Sequence, residues 1–244
     1  MSLLSDLSTD ASIANEKDTV GSGGVLESGL YPATVSLAYV TKSDGGARGL
    51  VLQFKTDQGR DIRQTLWMTS GTAKGGKNFY EDKNGQKQYL PGFIAANALA
   101  LLTTGKEISE LDTETKVVGV WNKTAKAEVP TKVEVPMDLM GKEIVIGLIK
   151  QTVDKTAKND STGTYEATGE TRDENEIDKF FRAADNMTTA EVRAEAQEAT
   201  FVKTWEGKWT GKTRNKASGA SGTAGAPKAA AQAAMKKPTT SLFA

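Results

Sequence analysis

The chain contains neither cysteine nor histidine. The first absence excludes disulfides, thiolate nucleophiles and thiolate metal sites. The second removes the usual general base at neutral pH and the commonest zinc ligand, so neither a Ser-His-Asp triad nor a Cys-His pair can be built. What remains open to an enzyme is carboxylate-bound magnesium, lysine chemistry or a tuned Asp or Glu. A non-enzymatic protein that needs no cofactor and no metal is the expectation. No apolar run approaches the ~20 residues needed to span a bilayer. The start, Met1-Ser2-Leu3-Leu4-Ser5-Asp6, has neither the basic region nor the apolar stretch of a signal peptide. These two features point to a cytoplasmic protein with no membrane partner.

Net charge is also absent, with 31 basic against 31 acidic residues. The balance hides an uneven distribution. From Thr204 onward seven cations face Glu206 alone, so residues 1–203 carry the opposite excess. A basic tail on an acidic body suits phosphate binding by the tail, or masking of the tail by its own body.

Patterning divides the 244 residues into a flexible arm (1–24), one main domain (25–185), a helical extension (186–210) and a disordered basic tail (211–244). Tyr31, Ala33, Val35, Leu37 and Tyr39 alternate as in a half-buried strand. Leu50, Leu52 and Phe54 follow after a Gly-rich turn. Ile62, Leu66 and Met68 then oppose Arg63, Thr65 and Trp67, which completes a three-strand meander. Asn84-Gly85 predicts a type I′ hairpin between Phe79–Lys83 and Gln86–Leu90. Phe93–Thr103 reads as a buried helix ending near Gly105. Strands return at Lys116–Asn122, Lys132–Val135 and Glu143–Thr152, the last apolar on both faces and therefore central. Asp173–Ala184 reads as an amphipathic helix with Ile177, Phe180 and Phe181 inward, and Thr189–Gln197 as a short helix capped by Thr188. The sum is a mainly β protein with an inserted helix, a projecting β-ribbon and C-terminal helices. An OB-fold-like barrel fits this pattern; an SH3-like barrel and an open sandwich are the alternatives.

The densest chemical signal lies between Arg60 and Phe93, where cations and flat rings alternate. Rings stack on bases and cations follow phosphates, as single-stranded nucleic acid requires. The candidate DNA-binding residues are Arg60, Arg63, Trp67, Lys74, Lys77, Tyr80, Lys87 and Tyr89. In this reading bases stack on Trp67, Tyr80 and Tyr89 in one groove lined by the five cations. Gly71–Lys77 fits a phosphate-binding P-loop except that Asn78 stands where Ser or Thr must hold magnesium, and a hairpin rather than a helix follows. Trp121, closing a strand, reads as core. Trp205 and Trp209 fall in a basic stretch outside the folded region, to dock back or to grip nucleic acid. The acids Asp173, Glu174, Glu176 and Asp178 read as the solvated start of a helix rather than a metal site.

Several blocks are more specific. Gly23–Tyr31, Gly76-Lys77-Asn78-Phe79-Tyr80, Tyr89-Leu90-Pro91-Gly92-Phe93, Leu101–Lys106, Gly141–Gly147 and Thr168–Asn175 resemble segments of a family of bacteriophage single-stranded DNA-binding proteins. The resemblance spans about two-thirds of the chain. It implies an OB-fold that coats single strands in phage DNA replication and recombination, in the host cytoplasm. The basic tail departs from the acidic one common in such proteins, yet its end, Ser241-Leu242-Phe243-Ala244, looks like a docking peptide. Leu242 and Phe243 are the candidate contacts to phage or host replication proteins. A phage assembly protein using the aromatic ribbon as a subunit contact is the alternative, and a magnesium nuclease the remoter one.

Overall fold

A computed structural model describes residues 24–218, apart from 123, 160 and 162. The arm before residue 24 and the tail from 219, with Leu242 and Phe243, lie outside the described residues. Within them the protein is mainly β, with ten strands and three helices. β1 (Gly29–Lys42), β2 (Arg48–Thr56) and β3 (Asp61–Trp67) form the expected antiparallel meander. Their period-2 pattern sends Val35, Leu50, Leu52, Phe54, Ile62 and Leu66 to one buried face. A short ribbon follows, β4 (Phe79–Glu81) with β5 (Lys87–Tyr89). It leads into α1 (Pro91–Thr104), which lies against that face through Ala96, Leu99 and Ala100. Pro91 sits at the helix start, where its missing N–H costs nothing. Gly105 ends the helix at φ 75°, its N–H donating to the Leu101 carbonyl.

β6 (Thr113–Asn122) and β7 (Ala127–Pro136) make a hairpin that joins the meander where Glu134 pairs with Val40 of β1. β8 (Glu143–Lys158) runs between β1 and β9 (Tyr165–Arg182). It is central as expected: Ile144, Ile146 and Leu148 face the main core, and Val145 and Ile149 face a second cluster. The resulting order β3-β2-β1-β8-β9 curls like a barrel but does not close by backbone pairing. One side-chain amide spans the gap between β3 and β9, and a second ties β9 to the segment before β1. Gln64 of β3 accepts from the Ile177 N–H (2.7 Å) and donates to the Ile177 carbonyl (3.3 Å). Asn175 makes the same pair of bonds with Leu26, both at 2.8 Å. Each amide supplies the donor and acceptor that a missing strand would have supplied.

Three expectations fail here. The segment Asp173–Ala184 is not a helix but the end of β9. Gly147 pairs with Lys179 and Leu148 with Ile177, so Asp178 is an extra residue in a β-bulge. The bulge sets Ile177 and Phe180 on one face at a spacing of three, which imitates helical periodicity, while Phe181 faces the other cluster. The acids of this segment are consequently spread along a strand. Thr152 donates to Asp173 (2.7 Å), Gln151 to Glu174 (3.0 Å), and the Trp205 indole N–H to Asp178 (2.8 Å).

The second concerns Trp205, which takes one of the two roles expected of it by docking back on the domain, so that only its place outside the folded region is corrected. It lies in α3 (Phe201–Trp209), is 3% exposed, and packs edge-on against Phe181 with ring centres 6.0 Å apart. This tryptophan belongs to the fold. The third concerns the tail, whose first residues are ordered: β10 (Thr213–Asn215) pairs in parallel with Lys150–Thr152 of β8. Arg214 bonds Gln151 (2.7 Å) and Glu176 and rests over Trp209, and Lys216 reaches Glu176 at 2.8 Å. Two of the tail's cations, Arg214 and Lys216, are thus paired with Glu176 of the acidic body.

Between these elements α2 (Thr189–Arg193) is capped by Thr188, as its sequence implies, with Glu191 completing the capping box. Glu191 also accepts from the backbone N–H groups of Thr200 (2.7 Å) and Phe201 (2.8 Å), tying α2 to the start of α3. Burial works against its charge, but these donated hydrogen bonds outweigh it and hold the carboxyl down to about 2. No helix among the described residues is long and apolar enough to cross a membrane.

Candidate nucleic-acid interface

The ribbon is built on a turn other than the expected one. Gly85 has φ 75°, but Asn84 does not adopt positive φ, so the turn is not type I′. Instead the Asp82 carboxylate accepts from the N–H groups of Asn84 (2.8 Å) and Gln86 (2.9 Å), and the Gly85 N–H donates to the Asp82 carbonyl. Gly85 takes the left-handed position that closes a three-residue loop.

The short ladder fixes which residues share a face. Phe79 pairs with Tyr89, Tyr80 with Gln88, and Glu81 with Lys87. Phe79, Glu81, Lys87 and Tyr89 therefore lie on one side and Tyr80 and Gln88 on the other. Tyr80 and Tyr89 are both half-exposed, but they cannot contribute to one stacking surface from opposite faces. On the Tyr89 side the Lys87 ammonium sits 5.0 Å and the Lys77 ammonium 5.5 Å from the centre of the Phe79 ring. Tyr89 in turn leans on Phe93 of α1, ring centres 5.0 Å apart and tilted by 35°. A shallow concavity of about 380 Å³, lined by Asn78, Phe79, Lys87 and Tyr89, marks this face. Asn78 also lines a neighbouring one of about 480 Å³ that extends past Lys77 and Phe93 to Met68 and Arg48.

Two close approaches anchor the ribbon. A side chain on Gly92, at the second position of α1, would place its Cβ 2.1 Å from the Trp67 carbonyl oxygen; only glycine lets the helix meet the end of β3 there. At the other side the loop from Gly71 to Lys77 holds a 3₁₀ turn, Thr72–Lys74. The Thr72 N–H donates to the Gly45 carbonyl (2.8 Å) and the Lys77 N–H to the Ser70 hydroxyl (3.0 Å). The ribbon rather than a helix follows this loop, as the sequence implies.

Trp67 lies on the face of β3 away from the core and is 45% exposed. Its cross-strand partner is Gly49, and a Cβ there would come within 2.9 Å of the indole, so the ring rests on bare backbone. Arg63 shares this face but donates to the Tyr39 hydroxyl at 2.9 Å. Lys74 is exposed on the 3₁₀ turn. Arg60 is the clear outlier. It sits at the opposite end of β3, about 23 Å along the strand from Trp67, and donates to the Gly24 carbonyl at 2.6 Å.

The eight candidate residues therefore do not line one groove. Lys77, Lys87 and Tyr89 converge on the ribbon face; Trp67 and Arg63 occupy the outer face of β3; Lys74 on its 3₁₀ turn, Tyr80 and Arg60 stand apart. Phe79 and Phe93 are the additions. Both belong to the alternating run of rings and cations, and strand parity places Phe79 opposite Tyr89 once the turn length is known. A larger concavity of about 760 Å³ lies elsewhere, between β1, β2 and β8, but its lining mixes Lys55 with Asp57 and Glu143 and has no aromatic ring.

The other expected core ring, Trp121, is 53% exposed near the end of β6, where it faces away from the Tyr39, Val51 and Val135 cluster. Comparison with protein-family models and with curated proteins finds no match for this chain.

Proposed function

We propose that the protein binds single-stranded DNA with little sequence preference and coats it during phage DNA replication or recombination. The observation that carries this reading is the ribbon face, where the ammonium groups of Lys77 and Lys87 sit over the Phe79 ring and next to Tyr89, with Glu81 the one carboxylate on that face. Bases stack on Tyr89 and Phe79, phosphates follow Lys77 and Lys87, and Trp67 with Arg63 offers a second platform at the end of β3. Each stacked base contributes ~1–3 kcal/mol, and every base has a face to stack, so affinity comes without sequence reading. Phosphate neutralisation makes binding weaken with salt through the loss of counterion release. No bond is made or broken, so the lack of histidine and cysteine is no handicap.

The test is titration of a fluorescent dT oligonucleotide against a duplex of equal length at two salt concentrations, following tryptophan quenching. Tight, salt-sensitive binding selective for the single strand, with quenching, is expected. Absence of binding to both would overturn the reading in favour of an assembly role for the ribbon.

A further inference from the structure

β6 ends the sheet on one side, with β7 its only strand partner among the described residues. The prolines of β7 reveal which backbone groups of β6 are free. Pro130 stands opposite Gly119 and Pro136 opposite Thr113. Proline has no N–H to give, so both belong at non-hydrogen-bonded pairs of the ladder. Residues of the same parity on β6, namely Thr113, Thr115, Val117, Gly119 and Trp121, then turn their N–H and C=O groups away from β7.

Folded proteins blunt an edge of this length with proline, bulges or charge. β7 carries Pro130, but β6 has no proline and no bulge. Its charges, Glu114 and Lys116, neutralise each other at 2.6 Å. Val117 is 62% exposed and Trp121 53% exposed, on the face opposite Val118 and Val120, which pack toward Tyr39 and Val51. A proline-free, self-neutralised edge with apolar side chains on both faces suits another β-strand, and the strand most compatible with it is its own copy.

We propose that β6 pairs antiparallel with β6 of a second copy about a two-fold axis at Val117. Val117 then meets the partner's Val117, Thr115 the partner's Gly119, and Trp121 the partner's Thr113. Every pair joins residues whose backbone groups point outward, so the free edge is satisfied along nine residues. Asn122 stays outside the overlap, where its side chain is already committed to the hairpin turn through the N–H groups of Thr124 and Ala125 (both 2.9 Å). The exposed face of Trp121 is covered by the partner strand. This pairing uses the hairpin, not the ribbon, and stands independently of the DNA-binding reading.

The test starts from sedimentation of the full chain at micromolar concentration, which should give a dimer. Val117→Pro removes an outward N–H and leaves the β6–β7 bonds intact, so it should give a monomer with an unchanged far-ultraviolet spectrum. Because the chain has no cysteine, single-cysteine variants read the register directly. Val117→Cys places two Cα atoms about 5.5 Å apart, within disulfide reach, and should be oxidised to a covalent dimer. Thr115→Cys places them about 14 Å apart along the strands and should not. A wild-type monomer, a dimer that survives Val117→Pro, or cross-linking at Thr115→Cys instead of Val117→Cys would each overturn the pairing.

Discussion

The ribbon β4–β5 and the hairpin β6–β7 are both two-stranded arms with half-exposed rings, yet their surroundings differ. In the ribbon the rings of Phe79 and Tyr89 keep company with Lys77 and Lys87. In the hairpin Trp121 keeps company with Val117 and with backbone left over from the ladder. Exposed aromatic surface alone does not distinguish a ligand from a partner. A ring beside cations suits a polyanion that also stacks, whereas a ring beside valines and free amides suits another strand.

Glycine substitutions give the widest separation between the two arms. Gly92→Ala drives a Cβ into the Trp67 backbone, so it should cost about 3 kcal/mol in denaturant unfolding and weaken DNA binding by displacing the ribbon's base. Gly119→Ala meets only the end of the Glu128 side chain at 2.9 Å, which can swing aside, and should be nearly neutral. Equal costs would erase the distinction. Next in size is Gln64→Leu, which orphans the N–H and carbonyl of Ile177 and should cost about 1–3 kcal/mol. Since it touches neither arm, DNA affinity should hold at temperatures where the variant is folded.

Smaller effects probe the ribbon's charge. Replacing Lys77 and Lys87 together by Ala should lower the salt slope of single-strand binding by about 1.4, two phosphates at about 0.7 each. The same change at Lys116 and Lys132 of the hairpin should leave the slope alone. A pH effect lies distant from both arms. Glu191 is held at about 2, below its usual 4.5. A depressed carboxyl contributes stability above pH 4.5 that is lost as pH falls toward 2. Thermal melting of Glu191→Gln should therefore depend less on pH across that window than melting of the wild type.

The meander, the ribbon and α1 were legible in the sequence because their signals are local: alternation, an Asn-Gly pair, a glycine at a helix end. What was not legible depends on residues far apart in the chain. The bulge at Asp178 gives β9 a helical spacing that is recognisable as a strand only beside β8. Trp205 reads as an outlying ring until Phe181 and Asp178 are seen to hold it. The candidate site divides the same way. The run of rings and cations identifies the segment, but the type of turn decides that Tyr89 joins Phe79 and that Tyr80 does not. Arg60 was misplaced because strand length, not sequence distance, sets how far it lies from Trp67.

The most direct test of the account titrates a dT oligonucleotide into Tyr89→Ala and Trp121→Ala under identical salt. Loss of a stacked base predicts roughly 5- to 150-fold weakening at Tyr89, from ~1–3 kcal/mol, and unchanged affinity at Trp121. Weakening at Trp121 with none at Tyr89 would contradict it and move the DNA contact to the hairpin.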